Sequence, residues 1–195
     1  MTGSESRRIT DLGTLKALAH PLRSCLYRSL YTARTATASQ LAEQVDEAVS
    51  LVSYHLRKLA EYGLIEEAPQ QSGDGRERWW RPAQESVSIH DADFRDAPER
   101  TAAHLAASRV FLEHRVDLFR RHLDERATWG PEWGEASFDS EFLPRFTPAE
   151  LAALARELHA LVDRHEKAAR AAEDGGDTEG RENTAIHLYG FPFRS

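Results

Sequence analysis

The sequence has a single cysteine, Cys25. That excludes an internal disulfide framework and a cysteine-only metal cluster within one chain. Cys25 lies in an apolar helical pattern, where a buried small hydrophobe is expected. Also missing is any uninterrupted apolar run near the roughly 18 residues that a membrane span needs. The opening "MTGSESRRITDLG" lacks the apolar core of a secretory signal, so the expected location is the cytoplasm, with no membrane partner. There is no Gly-x-Gly-x-x-Gly after a strand, no Gly-x-Ser-x-Gly and no metal-ligand cluster, and the residues after 84 are few for a cofactor-binding α/β domain. No cofactor, no metal and no enzymatic activity are therefore expected.

What is present is 195 residues, 41% of them hydrophobic, enough for one larger domain or two small ones with an ordinary core. The net charge of -7 is unevenly spread: residues 1–83 carry 11 Lys+Arg against 10 Asp+Glu, residues 84–195 carry 14 against 22, so +1 and -8 make up the total. An acidic second half is repelled by phosphate, which leaves the first half to approach nucleic acid through locally placed arginines.

Helical spacing organises that first half. "ITDLGTLKALA", residues 9–19, reads as a short helix with Leu12, Leu15 and Leu18 or Ala19 on one side and Thr10 as its cap. His20-Pro21 ends it, and proline at a first helical position lets "PLRSCLYRSLY" restart with Leu22, Leu26 and Leu30 on one face. Thr37 and Gln40 form a capping-box pair opening "ASQLAEQV", with Leu41 and Val45 buried. A break of about three residues at Asp46-Glu47-Ala48 leads into the helix of residues 49–62, which is helix-turn-helix spacing. On that helix Val52, Leu56 and Leu59 form an apolar stripe, while Ser50, Ser53, Tyr54 and Arg57 repeat the spacing on the other side. Hydroxyl, aromatic and cationic groups on the offered face suit the acceptors of a DNA major groove; a solvated surface helix is the bland alternative. Gly63 ends the helix, as a residue able to adopt the left-handed conformation would. "LIEEAPQ" and "ERWWRPA" read as strands joined by a turn at Gly73-Asp74-Gly75, a hairpin over residues 64–83 that carries Arg76, Arg78 and Arg81. These arginines could reach phosphates or a narrow minor groove, unless the hairpin is simply solvated. Trp79 and Trp80 point to opposite faces of the strand.

"LKALAHPLRSCLYRSL", "ASQLAEQV", "VSYHLRKLAEYGLIEE" and "DGRERWW" together resemble the winged helix-turn-helix domain of ArsR-type bacterial transcriptional regulators. The resemblance covers residues 9–83, following a flexible N-terminus at 1–8. It implies a homodimer on double-stranded DNA, with helix 49–62 in the major groove and the hairpin alongside. Ser50, Ser53, Tyr54, His55 and Arg57 are then the candidate base or backbone contacts, with Lys58, Arg76 and Arg78 nearer the phosphates. The chain departs from the metal-sensing members, since "QLAEQVD" lacks their cysteine motif. Asp46 and Glu47 at the start of the helix favour its dipole but repel phosphate.

Residues 84–127 are read as a linker and a dimerisation helix, from a cap at Asp96, Pro98 and Glu99 to about Ala127. Leu105, Leu112, Val116, Phe119 and Leu123 make one stripe that Phe111 and Leu118 widen, enough for two partners. His104, His114 and Asp117 lie on this helix, but ten residues rotate it by about 1000°, so the two histidines face directions about 80° apart and could share a metal only across a dimer axis. Residues 128–195 are expected to form a strand-helix-strand unit: "EASFDSEFL", a helix opened by Thr147-Pro148-Ala149-Glu150, and "TAIHLYGFPF". This unit could add a dimerisation layer, supply plain core, or hold a small-molecule effector against Trp129, Trp133, Phe138, Phe142 and Tyr189. The expected fold class is mainly α with small β, and the expected function is a dimeric DNA-binding transcriptional regulator, a repressor on an inverted repeat. A protein-interaction module with a degenerate winged helix is the alternative, with a metal sensor or an enzyme further off.

Overall fold

A cap, a proline and a second cap set the first turns of the chain. In the computed structural model, which describes residues 6–69, 78–84 and 86–194, the chain divides into two units, residues 1–124 and 125–195. In the first, helix α1 (Leu12–Leu18) is capped by Asp11, whose carboxylate accepts from the Thr14 amide at 2.7 Å. The cap is thus Asp11 and not the neighbouring Thr10. A carboxylate there also complements the partial positive charge of a helix start, which a threonine hydroxyl does less well. Helix α2 (Pro21–Ala33) begins with Pro21 at its first turn, where a missing amide hydrogen leaves nothing unsatisfied. Helix α3 (Ala38–Val45) has the reciprocal box: the Gln40 amide donates to Thr37 Oγ1 at 3.3 Å and the Thr37 amide to Gln40 Oε1 at 2.9 Å. Asp46, in the left-handed region at φ 52°, closes it, and helix α4 (Val49–Glu61) follows.

Three short strands frame these helices. Strand β2 (Ala36–Thr37) and strand β3 (Ile65–Glu67) flank strand β4 (Trp79–Pro82) in an antiparallel sheet of order β2-β4-β3, with Ala36 opposite Trp80 and Glu66 opposite Arg81. The pairing of β3 with β4 is the hairpin expected over 64–83; its tip, Gly73-Asp74-Gly75, and Arg76 lie outside the described residues. Trp80 is buried and Trp79 half-buried, as alternation along a strand requires. The core gathers Leu15, Leu26, Leu30, Leu41, Leu56 and Leu59, all without solvent contact.

Two elements differ from the sequence reading. The N-terminus read as flexible over 1–8 includes strand β1 (Ser6–Ile9), which pairs in parallel with strand β5 (Ser86–Ile89) inside the segment read as a linker. Ile9 is buried, so the strand is anchored by its last side chain and by hydrogen bonds that no local pattern announces. A 3-10 turn, Asp91–Phe94, then leads to helix α5 (Pro98–Glu125), with Phe94 fully buried.

The second unit holds helix α6 (Pro131–Ala136) and helix α7 (Pro148–Asp174), the latter opened by the expected Thr147–Glu150 capping box. The strand-helix-strand expectation is corrected here. No described residue of this unit is in a strand: "EASFDSEFL" is the end of α6 followed by irregular chain, and "TAIHLYGFPF" is irregular throughout. Alternation marks a segment that can half-bury one face, but a strand needs a hydrogen-bonded neighbour, and an isolated pair is marginal in water. Part of the C-terminal segment lies on α7, where a Cβ at Gly190 would sit 3.1 Å from Leu151 Cδ1.

Candidate nucleic-acid interface

Helix α4 is fixed from inside and offered to the outside. Val52, Leu56 and Leu59 have no solvent exposure, whereas Ser50, Tyr54 and Arg57 are exposed and Ser53 is half-buried. A side chain on the buried stripe cannot move without opening the core, so the polar face is presented by a rigid element. Val49 and Leu51 are exposed as well, two apolar residues that the sequence reading places on neither face. Both lie within two residues of Ser50, on the leading turn of the helix.

His55 is placed differently from the sequence reading, which grouped it with the DNA contacts. It is buried, its ring centroid 4.7 Å from that of His20 and 5.2 Å from that of Tyr54. Burial lowers the pKa of both histidines; the charge of Arg23 adds to this for His20, and His20 and Arg23 add to it for His55, with Glu47 opposing. Neither Nδ1 has a hydrogen-bond partner. His55 is therefore a neutral packing residue that joins α4 to the start of α2, and it is withdrawn from the DNA-facing set.

The cations are held in defined places. Arg57 Nε donates to the Ser53 carbonyl at 3.1 Å, which lays the guanidinium back along the helix. Lys58 Nζ donates to Glu61 at 2.8 Å and lies 5.9 Å from the Tyr54 ring centre, and the Glu61 contact raises its pKa. On the wing, Arg78 Nε is 3.2 Å from Glu67 and its guanidinium 5.6 Å from the Trp80 ring, while Arg81 meets Glu66 at 2.7 Å. These are exposed pairs of small net worth, so the arginines can exchange partners for phosphate at little loss.

The C-terminal end of α4 is clamped. Gly63 adopts φ 62°, and Arg7 Nη1 donates to the carbonyls of Tyr62 at 2.9 Å and Gly63 at 2.7 Å. Arg8 pairs with Asp93 at 2.7 Å, and Arg100 Nη2 donates to the carbonyls of Thr10 at 2.8 Å and Asp93 at 2.7 Å. Strand β1 thereby links the end of α4 to the turn that launches α5.

Along α5, Ala107 is buried and Ala103 and Phe111 pack on the core. Its stripe of Leu105, Leu112, Val116, Phe119 and Leu123 is instead exposed, from 37% at Val116 to 52% at Leu105. His104 stacks on Phe94 with centroids 5.3 Å apart, and Asp117 pairs with Arg120. Among the described residues no three His, Cys, Asp or Glu side chains gather where a metal could sit. In the second unit, Trp129 and Trp133 meet edge to face at 6.2 Å, but Phe138 and Phe142 are 81% and 82% exposed, and Tyr189 is exposed too. Of the five aromatics expected to line an effector pocket, Trp129 and Trp133 meet each other, and Phe138, Phe142 and Tyr189 stand exposed. No described helix is long and apolar enough to cross a membrane.

Against known proteins, a helix-turn-helix domain family matches residues 18–68. That span starts at the end of α1 and runs through β3. Comparison with curated proteins gives no match. Solved structures similar to this chain include a "Possible transcriptional regulator for arsenical resistance", 28% identical over 50% of this chain and 82% of its own, with a TM-score of 0.32. An ArsR family transcriptional regulator is 24% identical over 55% and 88%, with a TM-score of 0.31. A variant of ZitR from Lactococcus lactis in complex with DNA is 18% identical over 73% and 74%, with a TM-score of 0.25. Residues 18–68, which hold α2, α3, the Asp46 turn, α4 and β3, thus match a helix-turn-helix domain, and the pairing of β3 with β4 beside them gives that domain a winged form.

Proposed function

We propose that the chain acts as a homodimeric repressor in the cytoplasm, reading an inverted-repeat operator with α4 in the major groove and the hairpin alongside. One observation carries this: α4 is pinned by three fully buried side chains while Ser50, Tyr54 and Arg57 stay exposed on the opposite face. In this reading Ser50, Ser53, Tyr54 and Arg57 contact base edges or the nearby backbone, and Lys58 and Arg78 contact phosphate. Val49 and Leu51 offer apolar contact to thymine methyl groups. The exposed α5 stripe supports the dimer, because a monomer rarely leaves five large apolar side chains in a row on one helix face. Two α4 helices related by a two-fold axis would meet half-sites about 34–36 Å apart. An effector would act by binding one dimer geometry better than the other, changing that separation.

One observation favours a second reading, a protein-interaction module: Lys58, Arg78 and Arg81 are each paired with an acid of their own domain, which lowers the field offered to DNA. A salt titration of binding to DNA upstream of the protein's own gene, beside random DNA of equal length, separates the two. Preferential binding that weakens steeply with salt supports the regulator; no binding at low salt by folded protein supports the module.

A further inference from the structure

The second unit lacks an interior. No described residue from 125 to 194 is buried, although α7 spans 27 residues and is capped at its start. A stable unit of this size normally encloses a hydrophobic core, so its apolar surface calls for a cover.

The sequence of α7 states the shape of that cover. Leu151, Leu154, Leu158, Leu161, His165 and Ala168 follow alternating steps of three and four, the a and d positions of a heptad repeat. The C-terminal segment touches Leu151, and Leu154 and Leu161 remain 38% and 42% exposed. The helix's own ion pairs, Asp163–Lys167 and Glu166–Arg170, lie on the opposite face, which marks that side as the solvated one. Flanking the a/d stripe are Glu157 and Arg164 on one edge, both exposed, and Ala155 and Val162 on the other. Parallel pairing would set Glu157 against Val162 and Arg164 against Ala169, leaving the charges without partners. Antiparallel pairing sets Glu157 against Arg164 twice, by symmetry, and Ala155 against Val162 twice. In the same register Leu158 meets Leu161, Leu154 meets His165 and Leu151 meets Ala168, large against small toward the ends.

We propose that α7 pairs antiparallel with α7 of a second copy of this chain, with Glu157 of one copy facing Arg164 of the other. The contact is separate from the α5 stripe and does not rest on DNA binding. It makes the dimer clasp at two places along the chain.

The test uses the full chain with Ala149→Cys in a Cys25→Ser background, spin-labelled and read by pulsed electron resonance. At a rise of 1.5 Å per residue, the antiparallel register separates the two labels by about 30–40 Å, and a parallel one by about 20 Å or less. The expected result is a single long distance that is lost in Glu157→Arg and restored in Glu157→Arg with Arg164→Glu. Because both positions are exposed, these changes leave the fold of each chain in place, which circular dichroism verifies. A short distance, no defined distance, or a distance indifferent to the single reversal overturns the pairing. Operator binding is measured on the same samples: binding that persists beside an overturned α7 distance, or the expected distance in a protein that binds no operator, shows one reading failing without the other.

Discussion

Acid should loosen the seat of α4 before it protonates Asp11 or Asp93. His20 and His55 are neutral in the fold, their pKa values lowered first by burial and then by Arg23 and, for His55, by His20. In the unfolded chain each titrates near 6.5. A histidine with a depressed folded pKa contributes stability that is complete above the unfolded value and is lost as the pH falls through the folded value. Between pH 7.5 and 5.5 the loss is at most about 1.4 kcal/mol per histidine, so about 2.7 kcal/mol for two that stay neutral throughout. His20 is half-buried and solvent screens it, which makes roughly 1–2 kcal/mol the working figure for the pair. Asp11 and Asp93, with lowered pKa values, remain ionised across this window and do not contribute. For Asp11, burial works upward but the Thr14 hydrogen bonds and the Arg7 charge outweigh it. Urea unfolding at pH 7.5, 6.5 and 5.5 on the native protein and on His20→Gln with His55→Gln gives the slope in each. The reasoning fails if the native protein loses no more stability than the double variant, whatever their absolute stabilities.

Three further outcomes follow from the same geometry. Gly63→Ala should destabilise by about 1 kcal/mol or more, since alanine resists φ 62° and its Cβ would come within 3.2 Å of the clamping Arg7; a shift in the urea midpoint reads this out. Arg57→Ala should cost about 1–3 kcal/mol of operator affinity and relax base preference, whereas Lys58→Ala should weaken all DNA alike and lower the salt slope; equal losses on operator and random DNA would remove the base-reading role of Arg57. Leu112→Asp with Phe119→Asp should shift the sedimentation of the protein toward monomer and abolish operator binding at nanomolar protein while leaving helical content intact.

The N-terminal domain was legible because its signals are local and redundant. The stripe of Val52, Leu56 and Leu59, the Thr37–Gln40 box, the His20-Pro21 break and Gly63 each constrain only a few residues, and all agree with one arrangement. His55 was misplaced by residue type rather than by position. It follows Val52 by three and precedes Leu59 by four, which puts it on the buried stripe, but an imidazole beside an arginine reads as a contact for DNA. Strand β1 was not legible at all, because a parallel partner eighty positions away leaves no trace in a window of a dozen residues. The C-terminal segments were misread for the converse reason. Alternation in "TAIHLYGFPF" is a real local pattern, yet whether it becomes a strand depends on a neighbour that the pattern does not contain.

The clamp made by Arg7 has a consequence for the order in which the domain is completed during synthesis. Everything that seats α4 from below, from α1 to β4, has been made once residue 82 emerges. The grip of Arg7 on the carbonyls of Tyr62 and Gly63 depends on β1, and β1 finds its partner only when Ser86–Ile89 has followed. A nascent chain therefore holds a docked but unlatched α4 until the stretch leading into α5 arrives. The latch closes with the segment that leads into α5, so in the growing polypeptide a secured α4 and the start of α5 appear together.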